Sequence, residues 1–382
     1  MKSKADVVII GGGVNGCGLA YNLSKQGVDT VLVESHYLSS GATGRCGAGI
    51  RQQWSTKENA LLSIQSVKLF EKLSKELDYD IELRQGGYMI AIHDKEGMSE
   101  AEANVCLQKS LGLHVDIITP EQMVDIAPLL DPQNIPAIGA TFCPTDGHAN
   151  PFKTTFAYAQ AARKNGAEIN THTTVTDIKT KGKKIHAVKT DKGTIKTDTV
   201  VNCAGINSKD IADLAGISLP NYGLRKEIIA TERLEPLFEA MIISFKDGIY
   251  FSQQDHGQIV GGIPVAETQT TCSSMPTTQF VKHMAQTLIR YAPRLKEVNM
   301  LRHWTGFYDV TPDARPILGI VDQLPGFIQC NGFSGHGFML SPITTKMLTD
   351  LIAFDKTNDV LESLNLRRFE SGDFDSETYV CG

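Results

Sequence analysis

The first forty residues of the chain constrain its fold more than any other stretch. Residues 7–10 form an apolar run rich in β-branched side chains, which is typical of a buried parallel strand. This run leads directly into the pattern Gly11-x-Gly13-x-x-Gly16, after which apolar residues recur at helical spacing until Gly27. The order predicts a strand, a tight glycine turn and an amphipathic helix.

The spacing of these glycines is typical of dinucleotide binding. Gly11 permits the tight turn, Gly13 lets the backbone approach a pyrophosphate, and Gly16 lets the helix lie close to the sheet. The N-terminus of the helix offers N–H groups and the positive end of its dipole to the phosphates. A second apolar run, residues 30–33, ends in Glu34, eighteen residues past Gly16, where a carboxylate accepts hydrogen bonds from ribose hydroxyls. A glycine turn of no special purpose is the alternative, and the position of the motif between a strand and a helix favours the dinucleotide.

The bulk composition bounds the class of protein. The 382 residues are enough for two compact domains. A hydrophobic content of 41% and a charged content of 21% are typical of globular proteins. The net charge is −6 and the basic residues are scattered, which argues against a nucleic-acid partner.

The cysteines and the apolar runs indicate the compartment. The eight cysteines form neither a CxxC pair nor a Cys/His group, so they suggest no zinc or iron–sulfur site and no other metal site; they are residues 17, 46, 106, 143, 203, 272, 330 and 381. No apolar run approaches the roughly 20 residues that span a bilayer, and the N-terminus does not resemble a signal peptide. We therefore expect a cytoplasmic protein with free thiols and no membrane span.

The segments after Glu34 predict two interleaved domains. Residues 39–54 form a Gly- and hydroxyl-rich loop of the kind that binds ligands at the mouth of an α/β sheet, and residues 57–78 form a long amphipathic helix. Strand-rich segments then alternate with segments that return to the first domain. The expected fold class is α/β plus α+β, in which a Rossmann-like domain is interleaved with an antiparallel-sheet substrate domain. The dinucleotide-binding domain is predicted from residues 1–79, 146–220 and 312–382, and the substrate-binding domain from residues 80–145 and 221–311.

Further motifs give the chain a resemblance to a known family. The glycine motif with Glu34 is followed in order by Ser39-Ser-Gly-Ala-Thr-Gly-Arg45, Asn202-Cys-Ala-Gly205, Thr311-Pro-Asp313 and Gly332-Phe-Ser-Gly-His-Gly337. Over essentially its full length the chain resembles the D-amino-acid oxidase/sarcosine oxidase group of flavoproteins.

Within that group, three motifs narrow the resemblance. They are Gly49-Ile-Arg-Gln-Gln53, Arg302-His-Trp-Thr-Gly306 and the extension of the last glycine turn to Leu340. They look most like the β subunit of dye-linked L-proline dehydrogenase, with the β subunit of heterotetrameric sarcosine oxidase a close second.

The resemblance implies FAD as the cofactor. In such proteins the second glycine turn, here Gly332 to Gly337, lies under the isoalloxazine ring and leads into a helix, here from Ser341, whose N-terminus stabilises the reduced flavin. NAD is the alternative that Glu34 alone permits, and the second turn argues against it. The FAD-binding residues that the resemblance implies are Gly11, Gly13, Val14, Asn15, Gly16, Glu34, Ser35, Ser40, Thr43, Arg45, Gly49, Ile50, Val175, Ala204, Gly205, Gly332, Ser334, Gly335, His336, Gly337, Phe338 and Met339.

The same resemblance implies three catalytic-site residues. Arg51 falls where monomeric sarcosine oxidases carry an arginine that binds the substrate carboxylate, although a purely structural arginine is the alternative. His336 is expected to pack beside the flavin rather than to act as a base. Tyr308 is the third, and it lies near the position where glycine oxidases carry their carboxylate arginine.

Departures from the family pattern shape the expected chemistry. Gly306 replaces the cysteine that attaches FAD in monomeric sarcosine oxidases, so we expect non-covalent FAD. Ile259 replaces a lysine that promotes the reaction with dioxygen, which favours a dehydrogenase. Pro151 aligns with a histidine that attaches FMN in sarcosine oxidase β subunits, with His148 three positions earlier, which leaves open a non-covalent FMN between subunits.

The sequence therefore predicts an FAD-dependent amino-acid dehydrogenase. The expected substrate is a secondary amino acid of the proline, hydroxyproline or sarcosine type, which passes a hydride from Cα to flavin N5. Electrons are expected to leave through a partner subunit or another acceptor. Two alternatives stay open: a glycine or opine oxidase-type subunit of a complex, and an FAD electron-transfer subunit without its own substrate.

Overall fold

The computed structural model describes residues 1–131, 133–265 and 273–371. Two of the predicted free thiols, Cys272 and Cys381, lie outside the described residues. The helices are α1 (Val14–Lys25), α2 (Lys57–Leu77), α3 (Lys95–Ser110), α4 (Pro120–Ile126), α5 (Pro151–Lys164), α6 (Ser208–Asp213), α7 (Thr278–Tyr291), α8 (Ser341–Phe354), α9 (Asp359–Ser363) and α10 (Arg368–Ser371).

The strands fall into four sheets. They are β1 (Val7–Ile10), β2 (Thr30–Val33), β3 (Gly49–Ile50), β4 (Tyr88–Ile92), β5 (Asp116–Ile118), β6 (Gly139–Cys143), β7 (Gly147–His148), β8 (Glu168–Asn170), β9 (Val175–Lys181), β10 (Lys184–Thr190), β11 (Gly193–Lys196), β12 (Thr199–Asn202), β13 (Tyr222–Arg233), β14 (Met241–Ile243), β15 (Tyr250–Gln253), β16 (Gln258–Gly262), β17 (Met300–Val310), β18 (Ile317–Ile320) and β19 (Phe327–Asn331). The first, six-stranded sheet has the order β18-β19-β12-β1-β2-β8, and the second, eight-stranded sheet has the order β17-β13-β16-β15-β14-β4-β6-β5.

The first sheet is the Rossmann-like part of the fold. Strands β8, β2, β1, β12 and β19 are parallel, and β18 joins the edge antiparallel to β19. All four residues of β1 are buried, as expected for a central parallel strand covered on both faces. On one face α1 packs against both α5 and α8, which brings the first and last segments of the domain together.

The second sheet is antiparallel except for one pair. Strands β4 and β14 are parallel, and every other neighbouring pair runs in opposite directions. One face carries a core built on Met89, Ile242, Phe251 and Ile259, against which Phe280 of α7 packs. The opposite face of β4 and β14 carries Tyr88, Ile90, Met241 and Ile243, which point toward the first domain.

The fold class predicted from the sequence is confirmed. A Rossmann-like α/β part is interleaved with a largely antiparallel sheet. The strands of the first sheet fall within the segments assigned to the dinucleotide domain and those of the second within the other two segments, whereas the domain boundaries themselves stay a prediction.

Local elements also follow the sequence closely. Thr119 is the N-cap of α4 and forms a complete capping box. Its hydroxyl accepts from Gln122 N, and the Gln122 side-chain oxygen accepts from Thr119 N. Helix α3 begins at Lys95 because the Asp94 side chain caps it by accepting from Gly97 N. Strand β17 has no clear signal in the sequence, because its polar and aromatic residues lack a clean alternation.

Within the described residues, no helix is long and apolar enough to cross a bilayer. Over the same residues, His, Cys, Asp and Glu side chains do not group in threes as the ligands of a metal ion would.

Gly16 provides a stability test of the first glycine turn. A Cβ built on Gly16 would lie 1.9 Å from the carbonyl oxygen of Gly11, so Gly16→Ala must displace the turn or the helix. We expect a loss of about 1 to 3 kcal/mol in the free energy of unfolding, measured by chemical denaturation.

Gly18→Ala on the same helix is the matched control. Its Cβ would lie 3.3 Å from Thr345 Cγ2, a contact that small shifts relieve, and alanine favours the helix by about 1 kcal/mol over glycine. If Gly16→Ala and Gly18→Ala changed the free energy of unfolding equally, this would contradict the close approach of α1 to the first glycine turn.

Candidate active site

The main cavity of the molecule, of about 390 Å³, extends between the two glycine turns. It begins at the turn between β1 and α1, passes the end of β12, and reaches the segment 333–338 before α8. Strands β13 and β17 of the second sheet close its far side. The cavity therefore lies at the carboxyl ends of the parallel strands, where α/β folds bind nucleotides.

The first turn presents a helix N-terminus and an acid to this cavity. Gly13 is the N-cap of α1 and has no side chain to cover the first N–H groups, of which Val14 N–H donates to Thr43 Oγ1 at 3.1 Å. Glu34, at the end of β2, is largely buried, and its carboxylate accepts from Gly12 N at 2.6 Å and from His36 N at 2.8 Å. This donor and acceptor set fits the diphosphate and ribose of a dinucleotide.

The second turn is held in place by the end of β17. The Asp309 carboxylate accepts from Gly332 N at 2.7 Å, and its backbone carbonyl accepts from Ser334 N at 2.8 Å. Gly335 has a φ of +95°, and a Cβ there would lie 2.5 Å from the ring of Tyr308. Burial raises the pKa of Asp309 to about 6, against the hydrogen bonds from Gly332 N and Asn221 that favour its charged form.

A smaller cavity, of about 60 Å³, adjoins the main one and contains the predicted catalytic residues. Tyr308, Gly335 and Phe338 line both cavities, whereas Arg51 and His336 line only the smaller one. Its position beside the second glycine turn makes it the candidate substrate site.

Arg51 is the buried cation of this smaller cavity, with only 2% of its surface exposed. Its Nη1 donates to the Gln53 carbonyl at 2.7 Å, and its guanidinium lies 4.1 Å from the centre of the Trp54 ring. Its Nη2 lies 3.4 Å from His336 Nε2, and the His336 and Trp54 rings meet edge to face at 4.5 Å. Arg51, Trp54 and His336 thus form one packed cluster.

The walls of the smaller cavity contain residues that the sequence analysis missed. Tyr88, Met241, Ile243 and Tyr250 come from β4, β14 and β15 of the second sheet. Tyr88 pairs with Met241 across the β4–β14 ladder, so period-2 alternation along these strands points both side chains toward the site. The alternation was readable from the sequence, but the pairing that brings these strands together was not.

The predicted FAD-binding residues fall into three groups: those that line the main cavity, those that line the smaller cavity, and those that line neither. The main cavity is lined by Gly11, Gly13, Val14, Asn15, Glu34, Ser35, Ser40, Thr43, Arg45, Val175, Ala204, Gly205, Ser334, Gly335, Gly337 and Phe338. Gly49, His336 and Met339 line the smaller cavity instead. Gly16, Ile50 and Gly332 line neither of these two cavities: Gly16 supports the turn from behind, Ile50 is buried in the core, and Gly332 packs against Thr311.

The structure also shows where the residues that depart from the family pattern lie. Gly306 lines the main cavity, and the atom nearest to a Cβ built there is Arg45 Cβ at 3.2 Å. Ile259 is fully buried in the core of the second sheet and does not line the main cavity. The lysine that does line it is Lys226 on β13, which pairs with Gly306 and whose ammonium lies 5.4 Å from the centre of the Tyr308 ring. Lys226 could not be predicted as a cavity residue from the sequence, because no motif marks it.

A third cavity, of about 310 Å³, adjoins the main one at Cys46, which lines both. Arg45 lines the main cavity and Gly44, Gly47 and Ala48 line the third, so segment 44–48 forms a wall between them. His148, Pro151, Arg302 and Trp304 line its remaining sides.

Comparison with known proteins agrees with this geometry. Residues 6–351 match the model of the DAO family, described as FAD dependent oxidoreductase. The chain belongs to this family. FAD, the cofactor that the resemblance implied, is therefore confirmed, and so is the resemblance to the D-amino-acid oxidase/sarcosine oxidase group.

Individual relatives cover nearly the whole chain. Sarcosine oxidase subunit beta from Arthrobacter sp is 30% identical over 97% of this chain and 92% of its own length. The crystal structure of L-proline dehydrogenase from P. horikoshii is 35% identical, with a TM-score of 0.93 over 98% of this chain and 100% of that chain. Glycine oxidase from Geobacillus kaustophilus shares the fold, with a TM-score of 0.89 at 24% identity over 96% of this chain and 99% of that chain. The predicted class, an FAD-dependent oxidoreductase related to amino-acid oxidases and dehydrogenases, is confirmed.

Glu34→Gln tests the acid at the ribose end of the main cavity. Glutamine keeps one acceptor oxygen and turns an NH₂ group toward a site that needs two acceptors, because Gly12 N–H and a ribose hydroxyl both donate there. We expect the dissociation constant for FAD to rise about 10- to 100-fold, measured by titrating apoprotein with FAD and following flavin fluorescence.

Glu168→Gln is the control for this substitution. Glu168 begins β8 of the same sheet and accepts from Lys2 N at 2.9 Å, and it does not line the main cavity. An FAD affinity that Glu34→Gln leaves unchanged would show that this carboxylate does not contact the nucleotide.

Proposed function

We propose that this chain is an FAD-dependent dehydrogenase that oxidises a secondary amino acid of the proline, hydroxyproline or sarcosine type. The observation that carries the proposal is the buried guanidinium of Arg51 in a small cavity that adjoins the second glycine turn. When bound, FAD supplies the acceptor for the hydride that leaves the substrate Cα. The substrate amine then becomes an imine, with loss of the amine proton.

The proposed FAD site uses both glycine turns. The first N–H groups of α1 face the diphosphate, Glu34 accepts from the adenosine ribose, and segment 333–338 with the N-terminus of α8 faces the flavin ring. The glycines fit this task, because a Cβ at Gly335 would collide with Tyr308 and displace the turn. Gly306 offers no thiol for attachment, so the flavin is proposed to be held without a covalent bond.

Arg51 is proposed to bind the substrate carboxylate. A guanidinium has five N–H donors in a planar fork, so it can hold a carboxylate while the Gln53 carbonyl fixes one of its nitrogens. Stacking on Trp54 and contact with His336 fix its orientation. His336 is therefore proposed to position Arg51 rather than to act as a base.

The remaining walls of the smaller cavity favour a small substrate with an ammonium group or with an aliphatic ring that carries the amine. Tyr88, Tyr250 and Tyr308 offer aromatic faces to the cavity, and such faces attract ammonium groups and pack against aliphatic rings. The volume of about 60 Å³ favours compact amino acids over those with long side chains.

The third cavity supports transfer of electrons to a partner. It lies against the same 44–48 wall as the main cavity, and its lining contains the cation Arg302 and the indole of Trp304. We propose that a second flavin, FMN, binds there without a covalent bond where a partner subunit meets this chain. A relative of this chain is named as a subunit of sarcosine oxidase, which supports a hetero-oligomer.

One observation favours a second candidate function. Lys226 places a positive charge at the main cavity, and a cation beside a flavin assists electron transfer to dioxygen. An oxidase acting on glycine or an opine is therefore the alternative. Turnover that is fast with a dye or quinone and slow with dioxygen supports the dehydrogenase, and the reverse supports the oxidase.

The compartment is proposed from the cysteines. Cys17, Cys46, Cys106, Cys143, Cys203 and Cys330 are all free thiols among the described residues. We propose a cytoplasmic location, where thiols stay reduced.

Anaerobic reduction of the flavin by candidate substrates tests the proposed function. We expect L-proline, hydroxyproline or sarcosine to bleach the flavin absorbance, and Arg51→Ala to raise the apparent substrate dissociation constant about 100-fold or more. Arg51→Lys should recover part of this loss, because it restores the charge without the two-pronged geometry.

Arg367→Ala serves as the control, since Arg367 forms exposed ion pairs with Asp322 and Glu362 and lines none of the three cavities. A flavin that no amino acid in the panel reduces would leave the chain as an electron-transfer subunit without its own substrate. Unchanged affinity in Arg51→Ala would refute the carboxylate anchor.

Acid precipitation tests how the flavins are held. Because Gly306 has no side chain and the protein must unfold in acid, we expect all yellow colour in the supernatant, with FAD identified by its mass. FMN should appear in addition only when the chain is purified with a partner subunit. A yellow pellet would contradict the non-covalent site.

A further inference from the structure

Asp146 is a buried carboxylate that the proposed catalytic chemistry does not use. It lies in the turn between β6 and β7 and is fully shielded from solvent. Its Oδ1 accepts from Gln52 N at 2.8 Å and from Gln52 Nε2 at 3.0 Å, and its Oδ2 accepts from Gln53 Nε2 at 3.1 Å. Burying an ionisable group is costly, so its presence calls for a specific role.

All three of these N–H donors belong to the two residues that follow Arg51, and the Cys143 thiol also hydrogen-bonds to the carboxylate. Gln53 is the junction of this network, because its backbone carbonyl accepts from Arg51 Nη1 at 2.7 Å. The Gln53 side chain also donates to the Tyr88 carbonyl at 3.0 Å and accepts from Thr141 Oγ1 at 2.6 Å. The network therefore connects Asp146 to Arg51 and to Tyr88, two residues that line the candidate substrate cavity.

The segment that carries Arg51 has little regular structure of its own. Strand β3 ends at Ile50 and α2 begins at Lys57, so residues 51–56 lie between elements. Loop backbones without such support adopt several conformations, and a guanidinium that moves by 1 Å no longer binds a carboxylate in two-pronged geometry.

We propose that Asp146 is a positioning residue that fixes Arg51, through Gln52 and Gln53, in the orientation that binds the carboxylate of the substrate. This inference rests on the proposed function of Arg51 as the carboxylate anchor. Asp146 does not line the substrate cavity itself and acts only through the glutamines.

The ionisation of Asp146 gives the proposal a pH signature. Burial raises the pKa of Asp146 to about 6, and hydrogen bonds from Gln53 and Gln52 oppose that rise. At pH 7.5 the carboxylate is ionised and accepts from all three N–H donors. Below about pH 6 the Asp146 carboxyl group is protonated. The proton on one of its oxygens faces N–H donors, so Gln52 and Gln53 lose hydrogen-bond acceptors. Affinity for a carboxylate ligand should therefore fall as the pH decreases through 6.

Other ionisable groups lie on the elements packed around Asp146. They are Arg51 on the same loop, Arg84 and Tyr88 on the adjoining segment, Cys143 on β6 and His148 on β7. Burial raises the pKa of the Cys143 thiol and lowers the pKa of His148, so in both cases it favours the neutral form.

The test compares ligands with and without a carboxylate on the FAD-loaded enzyme. Tetrahydrofuran-2-carboxylate, a proline analogue that cannot be oxidised, and tetrahydrofuran are titrated while the flavin spectrum is followed. We expect Asp146→Asn to weaken binding of the carboxylate about 10- to 100-fold at pH 7.5, with less than a twofold change for tetrahydrofuran. Turnover at saturating substrate should change much less than KM.

Two glutamine variants are matched to each other. Gln53→Met removes the side-chain amide that links Asp146 to Tyr88, on the residue whose backbone carbonyl accepts from Arg51. Gln52→Met removes the side-chain amide that donates to Asp146 and to Thr145. We expect the larger loss of carboxylate affinity in Gln53→Met. Equal losses of carboxylate affinity in the two variants, or a larger loss in Gln52→Met, would overturn the proposed connection from Asp146 through Gln53 to Arg51.

The wild-type pH profile needs no variant and stays informative if Asp146→Asn fails to fold. Between pH 7.5 and 5 we expect about a tenfold loss of affinity for tetrahydrofuran-2-carboxylate, with FAD retained. The loss should be absent in a folded Asp146→Asn protein. A flat wild-type profile, or a titration that persists in the variant, overturns the inference.

Arg51→Ala separates this inference from the proposed function. If Arg51→Ala weakens carboxylate binding and Asp146→Asn does not, the function stands and Asp146 has no positioning role. If Arg51→Ala leaves carboxylate binding unchanged, the anchor itself is wrong, and the role of Asp146 falls with it.

Discussion

The contact between the two glycine turns is the interaction on which the rest of the structure depends. Asn15 Nδ2 donates to the Gly337 carbonyl at 3.1 Å, and Asn15 Oδ1 accepts from Thr344 Oγ1 at 3.1 Å. This single side chain joins the start of α1 to the turn before α8, more than three hundred residues apart in the chain. Because α1 also packs along α8, the N-terminus of α1 and the turn before α8 open on one cavity, and neither segment could form that site alone.

The second sheet completes the site because the chain crosses into it between the segments of the first domain. Strand β17 illustrates this arrangement: its Asp309 holds the second glycine turn, and its Tyr308 lines both cavities. Buried polar groups at this junction, such as Asp146 and Asp309, carry raised pKa values because burial disfavours their charged forms. Carboxylates in such surroundings weaken the fold and are retained where they fix functional backbone.

The parts of the fold that follow from local sequence could be predicted, and those that depend on pairing between distant strands could not. Residues 7–34 specify their own strand, turn, helix and acid through glycine geometry and apolar periodicity, so the first turn was predicted correctly. Arg51 and His336 were placed by resemblance alone, and the structure brings them within 3.4 Å of each other. Tyr250 and Lys226 carry no local signal, because their direction depends on which strands pair across the second sheet.

The wall formed by residues 44–48 shows how the same constraints divide the interior into separate cavities. Gly47 has no room for a larger residue, since a Cβ there would lie 2.7 Å from the ring of Tyr250. On β17, Trp304 Nε1 donates to the Arg45 carbonyl at 3.1 Å, and the Thr305 carbonyl accepts from Arg45 at 2.8 Å. These two hydrogen bonds hold the Arg45 end of the wall on β17. The proposed transfer of electrons from FAD to a second flavin requires only that the two cofactors lie close together and not an open channel, so a partition between the main and third cavities is compatible with it.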